Sequence, residues 1–308
     1  MIKNYKTLTV VFLFFSLFAC KSKDNLFLNL EEGFSYTLDI YTHFEGEQTL
    51  MGQTQITNSD LHQLLVLKII NADNNQYTAE LTFSNMSLNV HLNVGTLTID
   101  GNNPDENPIS HVFANMDKFP LKIGIDPIGR ITILDDLDKY FDKIINQSEL
   151  PGLSLEEKIE VKNQLLEQFN ERYIRGQIEL FTKVAPNKKV KKGYKWTDQT
   201  EHLTQVGGSL KNNYELVGEE EDFWIVELDG NLSPNKKENP IMVNGYETKF
   251  RMKGTLKGEF KLDKRTGWPV KASISENYNG DLLMQINNKE TKVPALIKLD
   301  TELKEVVN

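Results

Sequence analysis

Five histidines, one cysteine and an excess of carboxylates are what this sequence offers for chemistry. His43, His62, His91, His111 and His202 are scattered, with no pair at metal-ligand spacing and no Glu-flanked helical pair. His91 falls on the polar side of an alternating stretch, where solvent is its expected environment. The sequence contains no Gly-x-Ser-x-Gly elbow and no phosphate-cradling glycine loop. "DGNNPDEN" (Asp100 to Asn107) offers Asp100, Asn102, Asp105 and Glu106, oxygen ligands of the kind calcium favours. It lacks the spacing and closing glutamate of an EF-hand loop, so it reads as an exposed turn. "GEEEDF" (Gly218 to Phe223) reads as a hairpin turn with its charges in water. Two carboxylates converging from distant strands would suit glycoside hydrolysis, an arrangement that spacing alone leaves open. Trp196, Trp224 and Trp268 could make a glycan-stacking platform, but their strand and turn contexts favour core packing. No catalytic residue, metal ligand or cofactor site is assigned.

The elements that would position such residues are mostly strands. "FSYTLDI" places Phe34, Tyr36, Leu38 and Ile40 on one face, and "YTAELTF" does the same with Tyr77, Ala79, Leu81 and Phe83. In "MSLNVHLNV", Met86, Leu88, Val90, Leu92 and Val94 point inward while Ser87, Asn89, His91 and Asn93 point outward. A period of two with a polar opposite face predicts antiparallel strands covering one side of a core. "IGIDPIGRITIL" reads as a hairpin, with Asp126, Pro127 and Gly129 suited to a type I turn. Two helices are predicted next. Asp135 to Gln147 carries Leu137, Tyr140, Phe141 and Ile144 on one face. The segment from Ser154 opens with a capping box, Ser154 and Glu157, and bears a stripe of Leu155, Ile159, Leu166, Phe169, Tyr173 and Leu180 that should pack on the sheet. Strands resume after "APNKKVKKG", and "SPNKKENP" (Ser233 to Pro240) reads as an exposed loop.

The two β segments echo each other in order: "LEEGFSYTLD" with "VKKGYKWTDQ", "NNQYTAEL" with "EDFWIVEL", and "IGIDPIGRITI" with "GEFKLDKRTGWPVKA". The expected fold is therefore mainly β (α+β): antiparallel sheets from two duplicated halves, with a two-helix insert between them. Boundaries follow as 29–134 for the first half, 135–183 for the insert and 184–308 for the second half.

Cys20 has a different context. Lys3 and Lys6 precede an apolar run, Leu8 to Ala19, too short for the ~20 residues of a membrane span. "LFAC" (Leu17 to Cys20) resembles the lipobox of bacterial lipoproteins, with Phe18 bulkier than is usual there. The resemblance implies cleavage of a signal peptide (1–19), acylation of Cys20, a lipidated and solvated tether (20–28), and attachment to the membrane through lipid. Lys21, where an inner-membrane retention aspartate would stand, implies the outer membrane. Removal of the signal leaves 33 basic against 44 acidic side chains, a net charge of −11. So acidic a body argues against nucleic-acid partners. The order "LEEGFSYTLDI", "IGIDPIGRI", "PNKKVKKGYKW" and "GEFKLDKRTGWPVKASI" is also similar to a bacterial lipoprotein family of unknown function, which implies a mainly β protein with no assigned activity. The expected role is a non-catalytic binding or assembly module with an apolar ligand or an envelope protein as partner. The alternatives are an envelope hydrolase acting on glycans and a carrier of an apolar ligand.

Overall fold

The computed structural model describes residues 24–50, 52–73, 76–92, 95–148, 150, 152–201, 206–234, 240–243 and 245–306, the side chains of residues 200 and 201 excepted. The expected signal segment, Cys20, Val94, His202 and residues 235–239 of the turn-rich loop lie outside these. The first half contains β1 (Asp24–Leu26), β2 (Ser35–Leu50), β3 (Gln53–Ala72), β4 (Tyr77–Leu92), β5 (Gly95–Asp100), helix α1 (Pro108–Phe113), β6 (Leu121–Ile125) and β7 (Ile131–Leu134). Three helices follow: α2 (Leu137–Gln147), α3 (Leu155–Gln168) and α4 (Glu171–Thr182). The rest is β8 (Lys188–Val190), β9 (Lys195–Glu201), β10 (Ser209–Glu219), β11 (Phe223–Ser233), β12 (Ile241–Val243), β13 (Tyr246–Asp263), β14 (Pro269–Ile286) and β15 (Lys289–Glu305).

Thirteen strands form one antiparallel sheet in the order β7-β6-β4-β3-β2-β15-β14-β13-β11-β10-β9, with β5 on β4 and β12 on β13. The chain is mainly β with the helices between strand groups, as the alternation predicted. The order β2-β3-β4-β6-β7 recurs as β9-β10-β11-β13-β14, and β15 joins the two runs by pairing with β2. Local geometry repeats as well. Gly33 and Gly193 both have positive φ (82° and 84°), which glycine adopts at no steric cost. Their N–H groups donate to Ile69 O (2.9 Å) and Leu216 O (2.7 Å), and those two residues donate back to Phe34 O and Tyr194 O. The Asp126 and Asp263 carboxylates each accept two backbone N–H groups of the turn that follows, from Ile128 and Arg130 and from Arg265 and Thr266.

Directly opposed residues share a face, so the register fixes which side chains look inward. The inner face of β2–β4 carries Leu38, Ile40, Leu65, Leu67, Leu81 and Phe83, all essentially inaccessible. Within β4 the inward residues change from odd to even numbers. Asn85, at φ 50°, is the bulge that allows it, opposite a register shift between His62 and Leu64.

The segment expected to be one long helix is two, parted at Phe169–Asn170. Ser154 and Glu157 form the capping box of α3, and the Asn170 side chain accepts from Tyr173 N–H to start α4. Phe169 is buried against Phe113, Phe141 and Tyr173 at centroid distances of 5.9, 6.4 and 5.3 Å. Helix α4 also covers the edge of β7: Ile131 N–H donates to Glu179 Oε1 (3.0 Å), and the Arg175 guanidinium donates to Ile131 O. From its C-cap, Lys183 reaches Asp198 on β9 at 2.8 Å, so α4 stands between the two outer edges of the sheet.

The tether expected over 20–28 needs correction where it is described. Asp24–Leu26 pairs with β8, and Leu26 and Leu28 lie in the core. Apolar side chains at alternate positions drew this segment out of solvent.

Candidate functional site

Three of the five histidines lie on the outer face of the first half, and two of them meet at one aspartate. Asp60 of β3 is opposite His43 of β2, and His91 of β4 lies diagonally across. Asp60 Oδ1 lies 2.7 Å from His43 Nδ1 and accepts the Tyr41 hydroxyl at 2.5 Å, while Oδ2 lies 3.2 Å from His91 Nε2. The bonds from Tyr41 and then His43 hold the Asp60 carboxyl down at about 2, and the bond to Asp60 raises His43. His62 pairs separately with Asp39 at 2.6 Å. On the far side of His91, Nδ1 is 3.1 Å from Thr96 Oγ1, which completes a Thr–His–Asp line. The line stands on an open face, with the His91 side chain 47% exposed, and lacks the water-excluded surroundings that make such groups work in acyl transfer. Among the described residues no group of three His, Cys, Asp or Glu is arranged to hold a metal ion.

The acidic stretches behave as turns. Asp100 accepts from Asn102, and Asp105 accepts from Asn107 N–H and the Ser110 hydroxyl. His111 Nε2 contacts Asp105 O at 2.8 Å. Glu219 and Glu220 pair with Lys264 (2.8 Å) and Lys261 (2.5 Å). Trp224 and Trp268 are core residues at 1% exposure, and Trp196 stacks on Tyr214 at 5.4 Å. A buried acid lies on the inner face of β14. The Glu276 carboxylate accepts the Tyr278 hydroxyl, and burial pushes it up to about 7 against the pull of that bond. An open cleft of about 670 Å³ lies beside the N-terminal segment, between Asn25–Asn29, Asn187, Trp224 and Lys264–Arg265. Its cations are taken: Arg265 pairs with Glu31, and Lys264 with Glu219 and the Trp224 ring.

The feature that stands apart is a stretch of inner face that the helices leave open. Leu88 and Val90 were expected inside with Met86 and Leu92. Met86 is buried, Leu88 and Val90 are half-buried, and Leu92 is 45% exposed beside Leu97 at 46%. Helix packing reaches only the first part of this face. Gln63 of β3 is buried there, whereas beyond Leu61 the inner positions Thr42–Leu50 of β2 and Thr57–Ser59 of β3 are half-buried, Gln53 and Gln55 are exposed, and on β15 Leu299, Ile297 and Ala295 are half-buried before Val293 is buried again. Alternation in sequence marks which residues face inward but not how far the cover extends.

Residues 74–269 match the model of a family described as a family of unknown function, DUF6263. The chain belongs to the DUF6263 family. No curated protein matches it. Solved structures with similarity include a chain of lipovitellin, in a study of lipid–protein interactions, at 13% identity over 90% of this chain and a TM-score of 0.48. This chain spans 25% of that lipovitellin chain. An outer membrane channel from Pseudomonas putida F1 has 5% identity over 90% of this chain and 97% of its own, TM-score 0.21. A DUF1329 family protein from Desulfovibrio piger has 11% identity over 88% and 86%, TM-score 0.13. The DUF6263 match takes in β4 and β5, one side of the open stretch, and leaves β2, β3 and β15 outside.

Proposed function

We propose that this DUF6263 protein is a lipid-anchored lipoprotein of the outer membrane whose body is a non-catalytic binding module for an apolar partner. The observation that carries the binding reading is the open inner face, where Leu92 and Leu97 stay nearly half exposed in line with a continuous buried core. Contiguous exposed apolar surface on a folded chain marks an interaction site. The anchoring reading rests on the Lys3–Lys6 start, the apolar run and the LFAC sequence at Cys20. The two readings fit together spatially. Asp24, four residues after Cys20, pairs with Val190, and Leu28 further along the same segment accepts the Tyr77 hydroxyl at the end of the sheet where β4 begins. The open face lies at the other end, about 40 Å away along β3 from Ile69 to Thr57. Acylation at Cys20 would thus leave the binding face turned away from the anchoring bilayer.

Envelope extracts partitioned in detergent test the anchor: wild type is expected in the detergent phase and Cys20→Ser in the aqueous phase. Wild type recovered aqueous with an unmodified Cys20 would refute the anchor. The binding reading is tested by titrating folded Cys20→Ser protein with the neutral apolar dye Nile red. Saturable binding is expected, and a folded chain that binds no dye would sink it.

A further inference from the structure

We infer that the open inner face holds a single fatty-acyl chain of a neutral-headed monoacyl lipid, lying along β3. This deepens the binding reading above and rests on it. Two apolar ridges border the face. On β4, Leu88, Val90 and Leu92 follow each other on the inner side. On β2, the Phe44 ring lies over Gly46, where a Cβ would meet it at 2.7 Å, so the ring covers two inner positions. Between the ridges the inner positions of β3 are Ser59 and Thr57, opposite Phe44 and Gly46, and Leu61 closes the core end opposite Leu88. A furrow with short side chains for a floor results.

Its dimensions select the occupant. With strands 4.7–4.9 Å apart, ridges on β2 and β4 stand about 10 Å apart between backbones, and their own side chains fill part of that span. A single extended alkyl chain is narrow enough to lie between them. The floor from Leu61 to Gln55 runs about 20 Å, suited to a long acyl chain.

Charge selects the head group. The inner positions of Thr42–Leu50, Gln53–Leu61, Leu88–Leu92, Gly95–Ile99 and Val293–Leu299 carry no charged side chain, in a chain of which 26% is charged. The opposite face of the same strands bears His43, Glu45, Asp60 and Lys298, linked in ion pairs. Among the described residues of the inner stretch no cation awaits a carboxylate or phosphate. At the distal end of the furrow Gln48 donates to Gln55 at 3.1 Å, a neutral amide pair suited to a hydroxylated head.

The test uses the folded Cys20→Ser chain in detergent-free buffer, with monopalmitoylglycerol as probe, read by native mass spectrometry and by displacement of Nile red. One probe molecule per chain is expected, with weaker binding of palmitate at pH 8. Ser59→Trp, which fills the floor, should weaken binding at least tenfold. Leu92→Asp, at a position already exposed, should do the same with the melting transition unchanged. Asn58→Ala, on the opposite face of the same strand, should stay within twofold of wild type. Dye binding without displacement by the probe would overturn this inference and leave the binding reading standing, whereas absence of dye binding would sink that reading itself. Unchanged affinity in folded Leu92→Asp, or tighter binding of palmitate, would also overturn the acyl-chain assignment.

Discussion

Replacing Glu276 by Gln should change how the stability of the fold depends on pH. The carboxyl is 5% exposed on the inner face of β14, accepts the Tyr278 hydroxyl, and titrates near 7 because burial disfavours its charged form. In the unfolded chain the same group titrates near 4.5. A raised carboxyl means that the folded state binds the extra proton between these values, so stability falls as pH rises from about 4.5 through 7 and levels off above. At 1.36 kcal/mol per unit, the group accounts for a loss of roughly 2–3 kcal/mol between pH 5 and pH 8. Glutamine keeps the shape and the acceptor for Tyr278 but cannot ionise. Urea unfolding of wild type and Glu276→Gln at both pH values gives the difference of differences, in which every other titrating group cancels. The variant should gain roughly 2–3 kcal/mol relative to wild type on going from pH 5 to pH 8. Parallel pH curves for the two proteins would refute the reasoning, because Glu276 would then titrate alike in both states.

Three further substitutions separate local strain from tertiary contact and test the outer-face cluster. Gly33→Ala, at φ 82° with open space around it, should cost about 1–2 kcal/mol, whereas Gly267→Ala, at φ 67° against Phe27 O, should cost about 3–4 kcal/mol because the N-terminal segment must move; equal losses in chemical denaturation would contradict the close approach. Asp60→Asn should lower the His43 pKa, followed through its ring proton by NMR. In wild type the His43–Asp60 pair should contribute most between roughly pH 4 and 6.5, lost upward as His43 deprotonates above its unfolded value and downward as Asp60 protonates towards 2. A His43 titration indifferent to Asp60 would dismiss the pairing.

The period-two runs at Tyr36–Ile40 and Tyr77–Phe83 identified strands because one face of each is buried, and the Gly33/Gly193 and Asp126/Asp263 echoes identified equivalent turns because those backbones need the same residue types. The break at Phe169–Asn170 had its signal in Asn170, a good N-cap inside an otherwise periodic run. The phase change between Phe83 and Met86 was also written in the residues, as two alternations one position out of step around Asn85. What could not be read was any property created by pairing at a distance. His43, Asp60 and His91 are 17 and 31 residues apart, and only the register of three strands brings them together. The open inner face is likewise a matter of where helices stop, which the apolar pattern of Met86–Leu92 does not encode.

The bond between β15 and β2 has a consequence for how the chain comes to be folded. Ala295 pairs with Gln48 and Glu305 with Leu38, so the seam joining the two repeats is made by residues separated by most of the sequence. Each repeat can form its hairpins from near neighbours, but the sheet becomes continuous only when its last long strand arrives. Until then β2 and β14 each present an unpaired edge of 16–18 residues, long enough to recruit a strand from another chain. Closure across so large a loop is slow relative to hairpin formation. A chain threaded through a membrane from its N-terminus would therefore remain pliable until its final segment emerged, and during that interval its greatest hazard would be its own copies.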